Sequence, residues 1–181
     1  MIDLILSRSS TKKFADTPID KDVVERLLAA ASRAPDHGLL APWRFTVLQG
    51  ESRRVLSDAM QAALREKVPD ADAESLTREG SKALRSPVLI VVSAVTQSHP
   101  KVPEVEQLVA VGAAIQNLWL AALSLGLGVA WKTGSHAYHP GVKTALGLDV
   151  QEHIIGFVHV GNPISAAQAR PVEFASRTRW L

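Results

Sequence analysis

The segment at residues 108–131 constrains the fold most, because it is almost entirely apolar and long enough to span a bilayer. Gln116 and Asn117 stand side by side in its middle, and glycines interrupt it. Amides in the centre of a lipid bilayer are costly, so we predict a core helix over about 103–125, packed on several sides. No membrane association is predicted. The N-terminus carries no secretory signal, so a cytoplasmic location is expected.

Composition narrows the function classes. The chain has 181 residues without repeats or long linkers, which predicts a single domain over 1–181. It has no cysteine, which excludes disulfides, thiolate nucleophiles and cysteine-ligated metals. The formal net charge of +2 gives little support to a nucleic-acid partner. His136 and His139 are three residues apart, but no carboxylate pattern accompanies them, so no metal site is predicted.

Apolar periodicity divides the chain into alternating helices and strands. Residues 88–95 form a continuous, largely β-branched run, which is typical of a strand buried on both faces. Asp20 is placed to cap a helix that ends near Arg33, and Pro103 is expected at the first position of the long helix. Further helices are predicted near 2–7, 51–66, 72–85 and 140–146, and further strands at 44–49, 129–133 and 154–160.

The order of these elements indicates the architecture. Strands separated by helices, without strict βαβ regularity, predict a three-layer sandwich of the α/β or the α+β class. The stretch after Gly161 shows little apolar periodicity. A structureless tail of this length is unusual in a small domain, so we expect it to pack on a partner subunit.

Three segments carry groups that suit an anionic, planar ligand. Arg8-Ser9-Ser10 offers a guanidinium and two hydroxyls, which together suit a phosphate, although a solvated end of a helix would look the same. The loop at 33–43 presents Arg33 and His37 as potential donors, although it also reads as a capped helix end followed by a turn. Lys132 follows a buried strand and needs a carboxylate or an anionic ligand, because an unpaired buried ammonium is costly.

Taken together, these segments resemble one family. The order of Arg8-Ser9-Ser10, the loop from Arg33 to His37, and Trp131-Lys132-Thr133-Gly134 is similar to that of the FMN-dependent nitroreductases. Pro42-Trp43, Lys101-Val102-Pro103 and Gly161-Asn162-Pro163 extend the resemblance to about residue 163.

The resemblance implies an α+β, three-layer α/β/α sandwich that forms an intertwined homodimer with two FMN sites at the subunit interface. Arg8, Ser9 and Ser10 would bind FMN from one subunit, with Arg8 at the phosphate. Arg33 and His37 would reach in from the other subunit. Trp131, Lys132 and Thr133 would line the flavin from the first subunit.

The implied activity is an oxidoreductase that passes hydride from NAD(P)H through FMN to a small electron-poor acceptor, such as a nitroaromatic or a quinone. No residue is named as a catalytic acid or base. The alternative is a non-catalytic FMN carrier or sensor.

The chain departs from larger relatives in three ways. It lacks room for an inserted helical region, it has Ser9 where a second arginine is frequent, and only Arg170, or Arg177 and Arg179, can replace a C-terminal basic pair.

Overall fold

The computed structural model of the chain describes residues 1–165 and 169–181. The strands are β1 (Trp43–Gln49), β2 (Val88–Ala94), β3 (Gly128–Lys132) and β4 (His153–Gly161). The helices are α1 (Ile2–Leu6), α2 (Lys21–Ala31), α3 (Arg53–Lys67), α4 (Ala73–Gly80), α5 (Glu104–Ser124) and α6 (Pro140–Ala145). Short 3-10 turns occupy His37–Leu39, Gly50–Ser52, Ser81–Leu84, Ser135–Tyr138 and Ala175–Arg177.

The four strands form one sheet in the order β1-β2-β4-β3. Each neighbouring pair is antiparallel. A parallel α/β fold is therefore excluded, and the α+β assignment is confirmed. β2 lies inside the sheet and every one of its residues is buried, as the β-branched run predicted.

Helices cover both faces of the sheet. The even-numbered residues of β2 from Val88 to Ala94 pack with α2 and α5, whereas Leu89 and Val91 pack with α3 and α6 on the opposite face. α4 packs against α3. The two core clusters on either side of the sheet confirm the predicted three-layer α/β/α sandwich.

Two helix starts differ in detail from the prediction. Asp20 is the N-cap of α2, but its side chain makes no capping hydrogen bond. Its backbone carbonyl instead accepts from the N–H groups of Val23 and Val24. Pro103 is the N-cap of α5 rather than its first helical residue. Both residues suit the N-cap position, because the backbone N–H of an N-cap residue takes no part in the hydrogen bonds of the helix.

The long apolar helix α5 is buried or half-buried over residues 110–123. Ala114, Ile115 and Leu118 are fully buried against the sheet and α2, which agrees with a core helix. Near its N-terminal end, Val105 and Val109 are 62% and 66% exposed. α5 is the one described helix long and apolar enough to cross a membrane. α5 contacts α1, α2 and all four strands, so the predicted packing on several sides is confirmed, and its exposed residues are confined to its two ends.

The C-terminal tail lies outside both cores. All described residues of 169–181 are exposed, among them the aromatic residues Phe174 and Trp180. The predicted lack of regular structure holds apart from the short turn Ala175–Arg177. The segment 166–168 lies outside the described residues.

Gly156 offers a test of the packing between β3 and β4. Trp131 Nε1 donates to the Ile155 carbonyl at 3.0 Å, and a Cβ on Gly156 would overlap the indole ring of Trp131. Gly156→Ala is expected to lower the free energy of unfolding by about 1–3 kcal/mol, because the ring has to move. Urea denaturation measures the loss. In a Trp131→Ala background the same substitution should cost little, and an equal cost in both backgrounds would contradict this explanation.

Candidate functional site

The N-terminal segment after α1 begins beside β3, an edge strand of the sheet, and continues beside the residues that follow β4. The Thr11 N–H donates to the Val129 carbonyl at 2.9 Å, and the Ala15 N–H donates to the Asn162 carbonyl at 2.8 Å. A Cβ on Gly128 would overlap the side chain of Thr11, so this close approach requires glycine at the start of β3. The pairing holds the neighbouring Arg8-Ser9-Ser10 motif at the edge of the sheet.

A cavity of about 850 Å³ opens beside this segment. The residues that line it are Arg8, Ser9, Ser10, Thr11, Lys12, Phe14, Arg85, Ala130, Lys132, His159, Ser165 and Arg170. Its volume lies in the range of small-molecule and cofactor sites. Four sequence regions that are far apart in the chain therefore meet here: the N-terminus, the turn before β2, the strands β3 and β4, and the start of the tail.

The charge of this cavity is strongly one-sided. Five of its lining side chains are cationic and none is a carboxylate. Within the described parts of the chain, none of the five forms an ion pair. Unpaired like charges around a concave surface attract an anion, and guanidinium groups suit phosphate oxygens in particular. The cavity is therefore built for an anionic ligand.

Arg8 is held in place by an aromatic residue. Its guanidinium lies over the ring of Trp119, 4.8 Å from the ring centroid. Trp119 belongs to α5, so the long helix positions a lining residue of the cavity. A cation over an indole face is stabilised without losing its positive charge, so the Arg8 charge stays available to a ligand.

A smaller cavity of about 270 Å³ adjoins the first one. The two share Arg85, Lys132 and His159 as lining residues, and the smaller cavity continues to Thr133 and Gly134. A ligand with its anionic group in the larger cavity can therefore extend past these three side chains towards Thr133.

Glu79 is the carboxylate of the smaller cavity. Burial raises its pKa, but hydrogen bonds from Lys82 and His136 outweigh that effect and leave the pKa of Glu79 below its ordinary value. His136 Nε2 lies 2.7 Å from Glu79 Oε1. The negative charge of Glu79 is thus already shared by two neighbouring groups and does not neutralise the cations of the larger cavity.

The predicted site residues fall into two groups. Arg8, Ser9, Ser10 and Lys132 line the larger cavity, and Thr133 lines the smaller one. The side chain of Trp131 lines neither cavity, because it points to the opposite face of the sheet and packs on the core formed with α5. Of the C-terminal arginines, Arg170 lines the larger cavity, whereas Arg177 and Arg179 do not.

Arg33 and His37 line neither cavity of the single chain. Arg33 is exposed after the end of α2, and His37 Nδ1 lies 2.6 Å from Glu106 Oε2 of α5. The loop that follows has left-handed backbone at Leu39 (φ 55°) and Ala41 (φ 46°), and Leu39 is 89% exposed. Such strained non-glycine residues concentrate at functional sites.

Sequence reasoning missed Arg85 and His159. Both line the two cavities, and burial together with the positive charges of Arg85 and Lys132 lowers the pKa of His159 to about 4. One sequence signal was available for His159, because it is the only ionisable residue in the apolar run at 154–160. No comparable signal marks Arg85, which follows a short turn on the surface.

Comparisons with known proteins agree with this architecture. The model of the family described as "Nitroreductase family" matches residues 5–162 of this chain. A relative from Escherichia coli (strain K12), named "Putative NAD(P)H nitroreductase YdjA", is 31% identical over 163 residues, or 90% of this chain and 87% of the relative.

Two solved structures share the fold. A nitroreductase-like protein from Bacillus cereus superposes with a TM-score of 0.86 at 27% identity, over 99% of this chain and 95% of that one. A nitroreductase from Desulfovibrio desulfuricans in complex with FMN superposes with a TM-score of 0.77 at 24% identity, over 98% and 94% of the two chains. The family match covers most of the chain and includes both the edge segment and the sheet, so this chain belongs to the nitroreductase family.

Proposed function

We propose that this chain is an FMN-dependent NAD(P)H oxidoreductase that acts as a cytoplasmic homodimer. The observation that carries the proposal is the cavity of about 850 Å³, whose described lining has no carboxylate and five cations that form no ion pair with a described residue. A flavin mononucleotide brings a phosphate with nearly two negative charges and a flat ring. The donor set of the larger cavity suits the phosphate, and the smaller cavity beyond Lys132 provides room in the direction of Thr133.

In this proposal four of the lining residues have a binding role. Arg8 and Ser10 hold the phosphate, and Arg170 brings a second guanidinium from the tail. Lys132 stands where the two cavities meet, so its charge favours a ligand that gains electron density on reduction. Thr133 borders the same region from the smaller cavity. FMN, when bound, supplies the hydride chemistry.

A second copy of the chain would complete the site with Arg33 and His37. Three exposed features support such a partner: the apolar side of α5 with Val105 and Val109, the tail with Phe174 and Trp180, and the strained loop at Leu39. Exposed apolar surface of this kind is typical of an interface.

The proposed substrates are NAD(P)H as the reductant and a small electron-poor acceptor, such as a nitroaromatic or a quinone. The name of YdjA supports the reductant. No side chain is proposed as an obligatory acid or base, because water can supply the proton to the reduced acceptor. The chain therefore contributes binding, orientation and charge rather than a covalent step.

The first experiment is an absorbance spectrum of the purified protein under anaerobic conditions. We expect the bands of oxidised flavin, and we expect them to bleach when NADH or NADPH is added. A flavin that stays oxidised with both donors would favour the carrier or sensor. A colourless protein that takes up no added FMN would overturn the proposal.

Arg8→Ala tests the phosphate assignment. Loss of a charge-assisted contact to phosphate should weaken FMN binding about ten- to a hundredfold while the protein stays folded. Quenching of FMN fluorescence measures the dissociation constant. Lys13→Ala is the matched control, because Lys13 is a neighbouring cation that does not line the cavity. Equal affinities of Arg8→Ala and the control would remove Arg8 from the site.

Mixed dimers test the contribution of the second subunit. A heterodimer of one Arg8→Ala and one Arg33→Ala subunit should retain one intact FMN site of two, because both defects fall in the same interface site. The reciprocal heterodimer, with both substitutions in one subunit and a wild-type partner, should retain none. Differently tagged subunits allow purification, and flavin content per dimer is the measurement. The opposite pattern would place all these residues in one subunit's site.

A further inference from the structure

His159 occupies the junction of the two cavities. It lies on β4 directly opposite Ala130 of β3, is 4% exposed, and lines both cavities together with Arg85 and Lys132. The anion-binding groups Arg8 and Ser10 line the larger cavity, whereas Thr133 and Gly134 line the smaller one. Any ligand that spans both cavities therefore passes the His159 imidazole in its middle section.

Ser86 determines which nitrogen of His159 carries the proton. Ser86 Oγ donates its single hydrogen to the Val88 carbonyl at 2.6 Å, and the same oxygen lies 2.9 Å from His159 Nδ1. Since the serine hydrogen is already used, the hydroxyl oxygen accepts from Nδ1–H. The other nitrogen, Nε2, then carries a lone pair.

The lone pair of Nε2 is free to meet a ligand. Nε2 has no hydrogen-bond partner among residues 1–165 and 169–181, yet it is not one of the fully enclosed polar atoms without a partner. It therefore reaches the cavity surface. The ring of Phe14 lies beside the imidazole, with ring centroids 6.4 Å apart and an interplanar angle of 29°.

The surroundings keep His159 neutral. Burial is the largest cause of its low pKa of about 4, followed by the charges of Arg85 before β2 and Lys132 on β3. A neutral imidazole between two cations cannot itself serve as a phosphate-binding cation near pH 7. It can accept a hydrogen bond from a hydroxyl group, which is the complementary partner for an uncharged nitrogen lone pair.

We propose that His159 Nε2 accepts a hydrogen bond from a hydroxyl in the middle section of the ligand, and that Ser86 is the positioning residue that holds the required tautomer. This inference rests on the proposed FMN function, in which the middle section is the ribityl chain between phosphate and ring. His159 thereby selects a polyhydroxylated linker, whereas the cations select only for the phosphate.

A comparison of two ligands distinguishes a hydrogen bond to His159 from a mere packing effect of its ring. One is FMN, and the other is a synthetic isoalloxazine with an unsubstituted phosphopentyl chain, which keeps the ring and phosphate but lacks the hydroxyls. The preference of the protein for FMN over the phosphopentyl flavin is the ratio of their two dissociation constants, measured with full-length apoprotein. His159→Phe retains an aromatic ring beside Phe14 but has no acceptor, and it should reduce this preference about tenfold.

Two further variants complete the set. His159→Gln provides an amide oxygen as acceptor and should recover part of the preference. Ser86→Ala leaves the imidazole in place but no longer holds the proton on Nδ1. The preference of this variant for FMN should therefore fall between those of the wild type and His159→Phe. A merely structural role of Ser86 would weaken both ligands equally and leave the ratio unchanged.

The outcomes distinguish the two levels of the proposal. If the wild-type protein binds neither flavin, the proposed function fails. If the wild type binds FMN but His159→Phe keeps the wild-type preference, or weakens both ligands equally, only the His159 contact is overturned.

A second measurement needs no variant and therefore does not depend on the folding of His159→Phe. In protein labelled with ¹⁵N-histidine, the Nε2 resonance of His159 should be that of an unprotonated nitrogen near pH 7. It should shift on addition of FMN and shift much less on addition of the phosphopentyl flavin. A His159 protonated on both nitrogens in the FMN complex would overturn the acceptor role.

Discussion

Complete burial of β2 is the constraint on which the rest of the structure depends. The strand hydrogen-bonds to β1 on one edge and to β4 on the other, and helices cover both of its faces. Alternate side chains of β2 therefore demand an apolar partner layer above and below the sheet. Once β4 is fixed beside β2, β3 becomes the outer strand, and its free edge receives the N-terminal segment through the Thr11–Val129 hydrogen bond. This backbone pairing brings the Arg8-Ser9-Ser10 motif to the edge beside which the cavity lies.

The same edge concentrates positive charge. Repulsion between like charges around a cavity destabilises the folded chain. A bound anion offsets this repulsion, and because it binds only the folded state it stabilises that state. The charges also act on His159, whose protonated form is disfavoured by burial and then by Arg85 and Lys132. The cations thus have two effects in the proposed site. They attract the anionic end of a ligand, and they help to keep the His159 imidazole uncharged, so that it can accept a hydrogen bond from the middle section of the ligand.

Much of this architecture could be predicted from the sequence, and the exceptions have a common physical cause. Period-two and period-3.6 patterns are local, so the strand at 88–94 and the helix at 104–124 were predicted within one or two residues of their bounds. The strand order is not local. Nothing in the sequence indicates that β4 lies between β2 and β3, and only that order brings Arg85 and His159 to the cavity. The resemblance implied that both Trp131 and Lys132 line the flavin. Successive residues of a strand point to opposite faces, however, so the two side chains cannot share one cavity wall.

The helix α5 connects the two halves of the proposed site. Trp119 holds Arg8, and Glu106 holds His37, although these two contacts lie about 20 Å apart along the helix axis. One copy of α5 therefore cannot present both residues to one phosphate-sized region. The midpoint between the two contacts falls at Gly112 and Ala113, whose small side chains permit close approach of a second helix. In the proposed dimer, a second copy packed at this position would cover the exposed Val105 and Val109 side chains.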